Sequence, residues 1–138
     1  MIVIASGGRE YTPDEYDYGK SEKILTQRQL ERLLAANSLQ ADAIYAMIQC
    51  VGSREKPFNY CSRICCQDAI KNAIAIKNKT PEAQVTIFYR DLRTYGLREK
   101  YYTKARDLGV RFVRYEVDSK PEVTHDGPNF SIKAYDPI

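Results

Sequence analysis

The sequence predicts an α/β fold, a Rossmann-like parallel sheet flanked by helices, with its first strand-to-helix loop replaced by a cysteine-bearing insertion. Three observations carry this expectation. Strand-like and helix-like segments alternate from residue 43 to residue 115 at spacings suited to right-handed crossovers. Ala43–Val51 is apolar at Ile44, Ala46, Met47 and Ile48, the pattern of a central parallel strand. All four cysteines of the chain lie between the end of that strand and the start of the next helix.

Taken in order, Ile2-Val3-Ile4-Ala5 reads as a buried strand running into Ser6-Gly7-Gly8. Such a strand normally has an upstream partner, so the chain reads as a piece of a longer protein. Arg9 to Lys23 is polar, tyrosine-rich and without steady period. A helix start follows: Thr26 is the expected N-cap, Gln29 closes a capping box, and Leu25 with Leu30 can staple the turn. Leu30, Leu33 and Leu34 form the apolar stripe of a short helix ending near Asn37. After the strand at 43–51, a helix is expected from Cys65, with Ile70, Ala73, Ile74 and Ala75 packed and Lys71, Asn72 and Lys77 polar. Val85–Tyr89 is the second strand. Leu97–Leu108 is the second helix, closed by Gly109. Val110–Tyr115 is the third strand, and Phe130–Tyr135 a candidate fourth. Residues 1–42 are accordingly read as a strand and connecting segment, and 43–138 as the sheet domain.

A chain of 138 residues supports one domain, or one with an appendage. Its 43% hydrophobic and 28% charged residues are those of an ordinary globular protein. No apolar run reaches the length of a membrane span. The net charge of +3, with bases interleaved among acids, gives no argument for nucleic acid. The first residues do not resemble a secretory signal, which points to the cytoplasm.

Cys50, Cys61, Cys65 and Cys66 form the pattern C-x10-C-x3-C-C. Four clustered cysteines call for one explanation. Disulfides suit an oxidising compartment and a chain too small for a core, and neither condition holds. Four buried, unreactive thiols in one loop and helix start are hard to ascribe to packing. A metal site remains. Four thiolates suit zinc, although an adjacent Cys-Cys pair is awkward for one tetrahedron. An iron–sulfur cubane offers separate corners to neighbouring cysteines. Spacing leaves both open.

Ligands of open parallel sheets sit beyond the carboxyl ends of the strands. A dinucleotide site would place G-x-G-x-x-G there, but only Gly52 occupies that loop. Asp91 lies 39 residues beyond Gly52, against roughly 20 for a ribose-binding acid, and reads as a turn or ion-pair residue. A helix start favours an anionic ligand. Arg54 and Arg63 flank the cysteines, either supporting that charge or lying solvated. Lys71 reads as solvent-facing, the bases from Arg90 to Arg106 as an exposed helix face, and His125 as a turn residue without a role.

The strings MIQCVGSR, YCSRICCQDAIKNAIAIK and VTIFYRDLRTYG resemble the A subunit of heterodisulfide reductase and its homologues, over nearly the whole chain. The interval between Cys50 and Cys61 is slightly shorter than in that family. The resemblance implies a thioredoxin-reductase-like flavoprotein that passes electrons between FAD and iron–sulfur clusters. It implies that Cys50, Cys61, Cys65 and Cys66 ligate a [4Fe-4S] cluster close to the flavin. It matches Ala5-Ser6-Gly7-Gly8 to a turn near the FAD, with serine in place of threonine, and puts Lys71 where a lysine approaches the flavin. The implied partners are the remainder of the same flavoprotein and other redox subunits. No flavin-binding G-x-G-x-x-G is found, so these residues alone are not expected to hold FAD or to be active. The alternative is a degenerate pyridine-nucleotide-binding module with a structural zinc or no metal.

Overall fold

Residues 1–4, 8–40 and 42–136 are described by the computed structural model. Three short strands, β1 (Ile44–Ile48), β2 (Gln84–Tyr89) and β3 (Arg111–Arg114), form a parallel sheet in the order β1-β2-β3. The helix α2 (Cys65–Lys79) joins β1 to β2. A 3-10 turn, Gly96–Arg98, leads into the helix α3 (Glu99–Asp107), which joins β2 to β3. The first helix, α1 (Gln27–Ala35), packs against α2, which in turn packs against α3. The expected α/β class with a helix-flanked parallel sheet is what the chain forms.

The core lies between the sheet and these helices. Val85 and Ile87 of β2 and Met47 of β1 meet Ala69, Ile70, Ala73, Ile74 and Ile76 of α2. Leu30 and Leu34 of α1, Ala105 of α3 and Val110 close the same cluster. No helix among the described residues is long and apolar enough to cross a membrane.

Local signals explain the boundaries. At α1 the Gln29 N–H donates to Thr26 Oγ1 (3.3 Å) and the Thr26 N–H to Gln29 Oε1 (2.7 Å), a complete capping box. The helix ends with Asn37 at φ +53; its N–H and that of Ser38 reach the carbonyls of Leu34 and Leu33. This paired arrangement satisfies otherwise orphaned carbonyls. Gly109, at φ +83, ends α3 in the same way, through bonds to Arg106 and from Val110 to Ala105.

Four expectations need correction. Ile2, Val3 and Ile4 are exposed and form no strand, because no neighbour among the described residues offers them a ladder. β1 is an edge strand, not a central one: among the described residues only β2 has parallel neighbours on both sides, and Ile44 is 71% exposed. Asn72 is 1% exposed, its amide held by Gln27 Oε1 (2.8 Å) at the start of α1. The candidate fourth strand does not join the sheet. It is β5 (Asn129–Lys133), antiparallel to β4 (Glu122–Asp126) in a separate hairpin. Gly127 at φ +55 followed by Pro128, whose ring fixes φ near −65°, gives the type II′ connection of a two-residue loop.

Two substitutions measure these signals. Thr26→Ala removes one cap acceptor and should cost about 1 kcal/mol. A Cβ on Gly109 would meet nothing within 4 Å, so Gly109→Ala should cost only the left-handed backbone penalty, roughly 1–2 kcal/mol. Denaturant midpoints should fall in both variants at unchanged slope.

Candidate metal centre

The cysteines are presented by the carboxyl ends of the strands and by the start of α2. Just beyond β1, the Gln49 N–H donates to Phe88 O (2.9 Å), and Gln49 O accepts from the Tyr115 hydroxyl (2.5 Å). The end of β1 is thereby tied to the last turns of both other strands. Tyr115 is buried, and that burial raises its phenol well above the ordinary value.

Cys50 follows at φ +64, Arg54 at φ +64 and Arg63 at φ +61. Left-handed conformations at three non-glycine residues within one loop cost of order 1–3 kcal/mol each and persist only where surroundings enforce them. The surroundings are visible. The Arg54 N–H is shared between Phe58 O (2.8 Å) and Tyr60 O (3.1 Å). Tyr11, Phe58 and Tyr60 form an edge-to-face series with ring centres 6.1 and 6.2 Å apart. Gly52, at φ +62, lies beneath the Tyr11 ring, where an added Cβ would sit 2.0 Å from a ring carbon. Glu55 is held by Arg90 (3.3 Å) and Lys120 (2.6 Å).

Three of the four thiols interact. Cys50 and Cys66 are buried. Cys65 is pushed down to about 6, first by its hydrogen bond with the Cys66 thiol, then by the N–H of Cys66, the Ser62 hydroxyl and the N–H of Cys50, against burial. Cys66 is pushed up by that same hydrogen bond and then by burial. Burial also raises Cys50, while the Arg54 guanidinium pulls the other way from 3.9 Å. The shared hydrogen bond thus favours the proton on Cys66 over Cys65. Cys61 is turned elsewhere, its Sγ accepting from the Arg63 N–H (3.3 Å). Among the described residues no group of three or more Cys, His, Asp or Glu already stands close enough to hold a metal ion.

The donor set nevertheless fits a soft metal or cluster better than a phosphate. Cys65 and Cys66 open α2, which starts at Ile64 without any side-chain cap. Its first-turn N–H groups and positive dipole end favour anionic sulfur. A shell of four requires Cys61 to release the Arg63 N–H and turn inward.

Other candidates fall in different places. Asp91 is an ion-pair residue, as expected: its Oδ2 meets Arg54 Nη2 (2.8 Å) and Arg93 (3.5 Å). Arg54 is only 19% exposed at its side chain. Arg63 stands at the rim of an open groove with Ile64, Gln67, Tyr95 and Leu97. Lys71, 58% exposed at its side chain, is paired with Glu31 (2.5 Å) and Asp68 (3.4 Å). Ala5, Ser6 and Gly7 lie outside the described residues, and Gly8 is exposed. Sequence reasoning missed Gln49, Tyr115 and the Asp91 carbonyl, which accepts from the Cys66 thiol (3.6 Å). Level strand ends in a parallel sheet were the one signal that could have found Tyr115.

No protein-family model matches the chain. Individual relatives do. The A subunit of the ferredoxin/F(420)H(2)-dependent CoB-CoM heterodisulfide reductase of Methanosarcina acetivorans is 39% identical over 133 residues, covering 84% of this chain and 17% of that protein. The first iron-sulfur A subunit of the CoB–CoM heterodisulfide reductase of Methanopyrus kandleri is 38% identical, covering 82% and 20%. The second such protein of that organism is 34% identical, covering 99% of this chain and 24% of its own length. The chain thus spans about a fifth of the relatives it matches. It is a homologue of part of the A subunit of heterodisulfide reductase.

Proposed function

We propose that this chain is the electron-transfer segment of a heterodisulfide reductase A-type flavoprotein, and that Cys50, Cys61, Cys65 and Cys66 hold a [4Fe-4S] cluster. The observation that carries the reading is that Cys50 follows a pinned strand end while Cys65 and Cys66 open an uncapped helix within electrostatic reach of it, in a chain related to a protein named for iron–sulfur. Bound there, a cluster supplies reversible one-electron storage. The chain's own residues do the rest. Cys50 is presented by the pinned end of β1, and Cys65 and Cys66 by α2. Arg54 places positive charge beside the sulfurs, and Tyr11 with Phe58 shelters the loop.

In this reading residues 49–64 are an insertion in a Rossmann-like domain spanning 43–138, and 1–42 lead to a flavin-binding part of the same polypeptide. FAD is held there, near Ala5, Ser6, Gly7 and Gly8, with Lys71 approaching it once freed from Glu31. The remainder of the flavoprotein, other redox subunits and a cytoplasmic, anaerobic setting complete the proposal. Anaerobic reconstitution should give a brown protein with about four irons per chain. A colourless protein with a single tight zinc would favour the alternative of a degenerate pyridine-nucleotide module, as would micromolar binding of NADH or NADPH in a calorimetric titration.

The ligands should not be equivalent. Cys66 is fixed by α2, whereas Cys61 hangs in a loop whose ordering costs about 1–2 kcal/mol of backbone entropy per residue. Cys61→Ser should still assemble a labile or three-iron cluster, and Cys66→Ser should not assemble stably. Iron content and low-temperature electron paramagnetic resonance distinguish them; equal, complete loss would sink the anchoring argument.

Removal of metal by a chelator should leave the sheet folded, since its core is apolar and owes nothing to the metal. Circular dichroism and a cooperative thermal transition report this. Collapse on chelation would make the metal a folding requirement.

A further inference from the structure

We propose that the groove between the first turn of α2 and the loop after β2 is a docking site for an acidic segment of a partner protein, one that presents an apolar side chain amid carboxylates. The inference concerns surface chemistry and goes beyond the proposed electron-transfer role, holding whether or not the cysteines carry a metal.

The groove encloses about 500 Å³, with Arg63 and Ile64 on one wall and Arg93, Tyr95, Leu97 and Arg98 on the other. Its apolar members stand open: Ile64 is 59% exposed, Tyr95 63% and Leu97 92%. Large apolar side chains gathered around one groove and rimmed by charge mark an interaction surface, which single scattered ones do not. The charged members are all arginine. Arginine and tyrosine are enriched at protein interfaces, where lysine, glutamate and aspartate are depleted.

The chain holds this surface in place by local means. Arg63, at φ +61, turns the backbone into α2, and Gly96, at φ +68, turns it into the 3-10 segment that leaves Leu97 outside. The Arg98 guanidinium donates to Gln67 Oε1, tying the two walls together. A groove this open suits a segment laid across it; a small ligand is usually enclosed over most of its surface.

The charge has one sign. Among the described residues no carboxylate lines the groove or pairs with Arg63. Arg98 meets only a neutral amide oxygen there. Arg93 shares the Asp91 carboxylate with Arg54, so two guanidiniums stand against one negative charge. Covering unmatched guanidiniums with a neutral partner costs their hydration, whereas carboxylates replace it with charge-assisted hydrogen bonds. Complementary charge therefore selects an acidic partner, and Ile64, Tyr95 and Leu97 select an apolar side chain among its acids.

The probe is a blocked pentapeptide of one leucine between two pairs of glutamates, titrated into the full, isotope-labelled chain and followed by amide chemical shifts. Shifts should concentrate in residues 62–67 and 93–98, and affinity should fall as salt is raised. The double variant Arg63→Gln/Arg98→Gln should bind about tenfold more weakly through the loss of two exposed charge pairs. Leu97→Ser should also bind about tenfold more weakly through the loss of apolar contact. Both variants alter exposed side chains, so the apolar core and the thermal transition should be unchanged. Shifts confined to other residues, or none at millimolar peptide, would overturn the proposal. So would equal binding of a peptide with glutamines in place of the glutamates, or unchanged affinity in either variant. Inorganic phosphate that reproduces the same shifts and displaces the peptide at equal concentration would make this a small-anion site and also overturn it. None of these readouts needs iron, so failure here leaves the cluster reading standing, and failure of the cluster leaves the groove.

Discussion

Gln49 is gripped from both sides: its N–H by the carbonyl of Phe88 and its carbonyl by the hydroxyl of Tyr115. These two bonds carry the order of β1 one residue past the ladder and level its end with the ends of β2 and β3. Cys50 therefore leaves the sheet at a fixed point and in a fixed, left-handed conformation. Everything assembled beyond it depends on that point. The distance from Cys50 to the start of α2, the seat of Gly52 under Tyr11 and the reach of Arg54 to Asp91 all change if the strand end frays. A buried hydroxyl bonding a buried carbonyl is costly to lose, because neither group has water to turn to.

The same arrangement explains why the sulfur chemistry is uneven. Adjacent cysteines at a helix start share one hydrogen bond, so one thiol gives up its proton more readily by drawing on the other. Burial raises Cys50 in spite of the nearby guanidinium. Proton affinity is thus divided by position along the backbone, not by composition. Asp91 is committed to ion pairs, Arg54 and Arg93 both meeting its Oδ2.

Much of this was legible in the sequence, and what was not has identifiable causes. The capping box at Thr26, the terminal Gly109 and the positions of β1, β2, β3 and α2 follow from local chemistry, which short-range patterns report well. Hydropathy reports burial, however, and not the number of ladder partners, so the apolar content of β1 did not reveal an edge strand. Asn72 occupies a core position by helical period but reads as polar, and the distant Gln27 satisfies it. The first strand of the hairpin, Glu122–Asp126, is too charged to stand out, although a Gly at the first position after it is a hairpin signal. At the site, the four cysteines were evident, while the contacts of Arg54 join residues far apart and leave no periodic trace.

The loop between Cys50 and Cys65 is fastened at both ends and again at Arg54 and Glu55, while residues 56–60 form an exposed bulge. Changes of length in that bulge would leave the exits of β1 and α2 untouched. Closing a longer loop costs little, about 0.6 kcal/mol for each doubling. Evolution can therefore lengthen or shorten this stretch and retune only the placement of Cys61. The separation of Cys65 from Cys66, by contrast, is fixed by the helix that carries both.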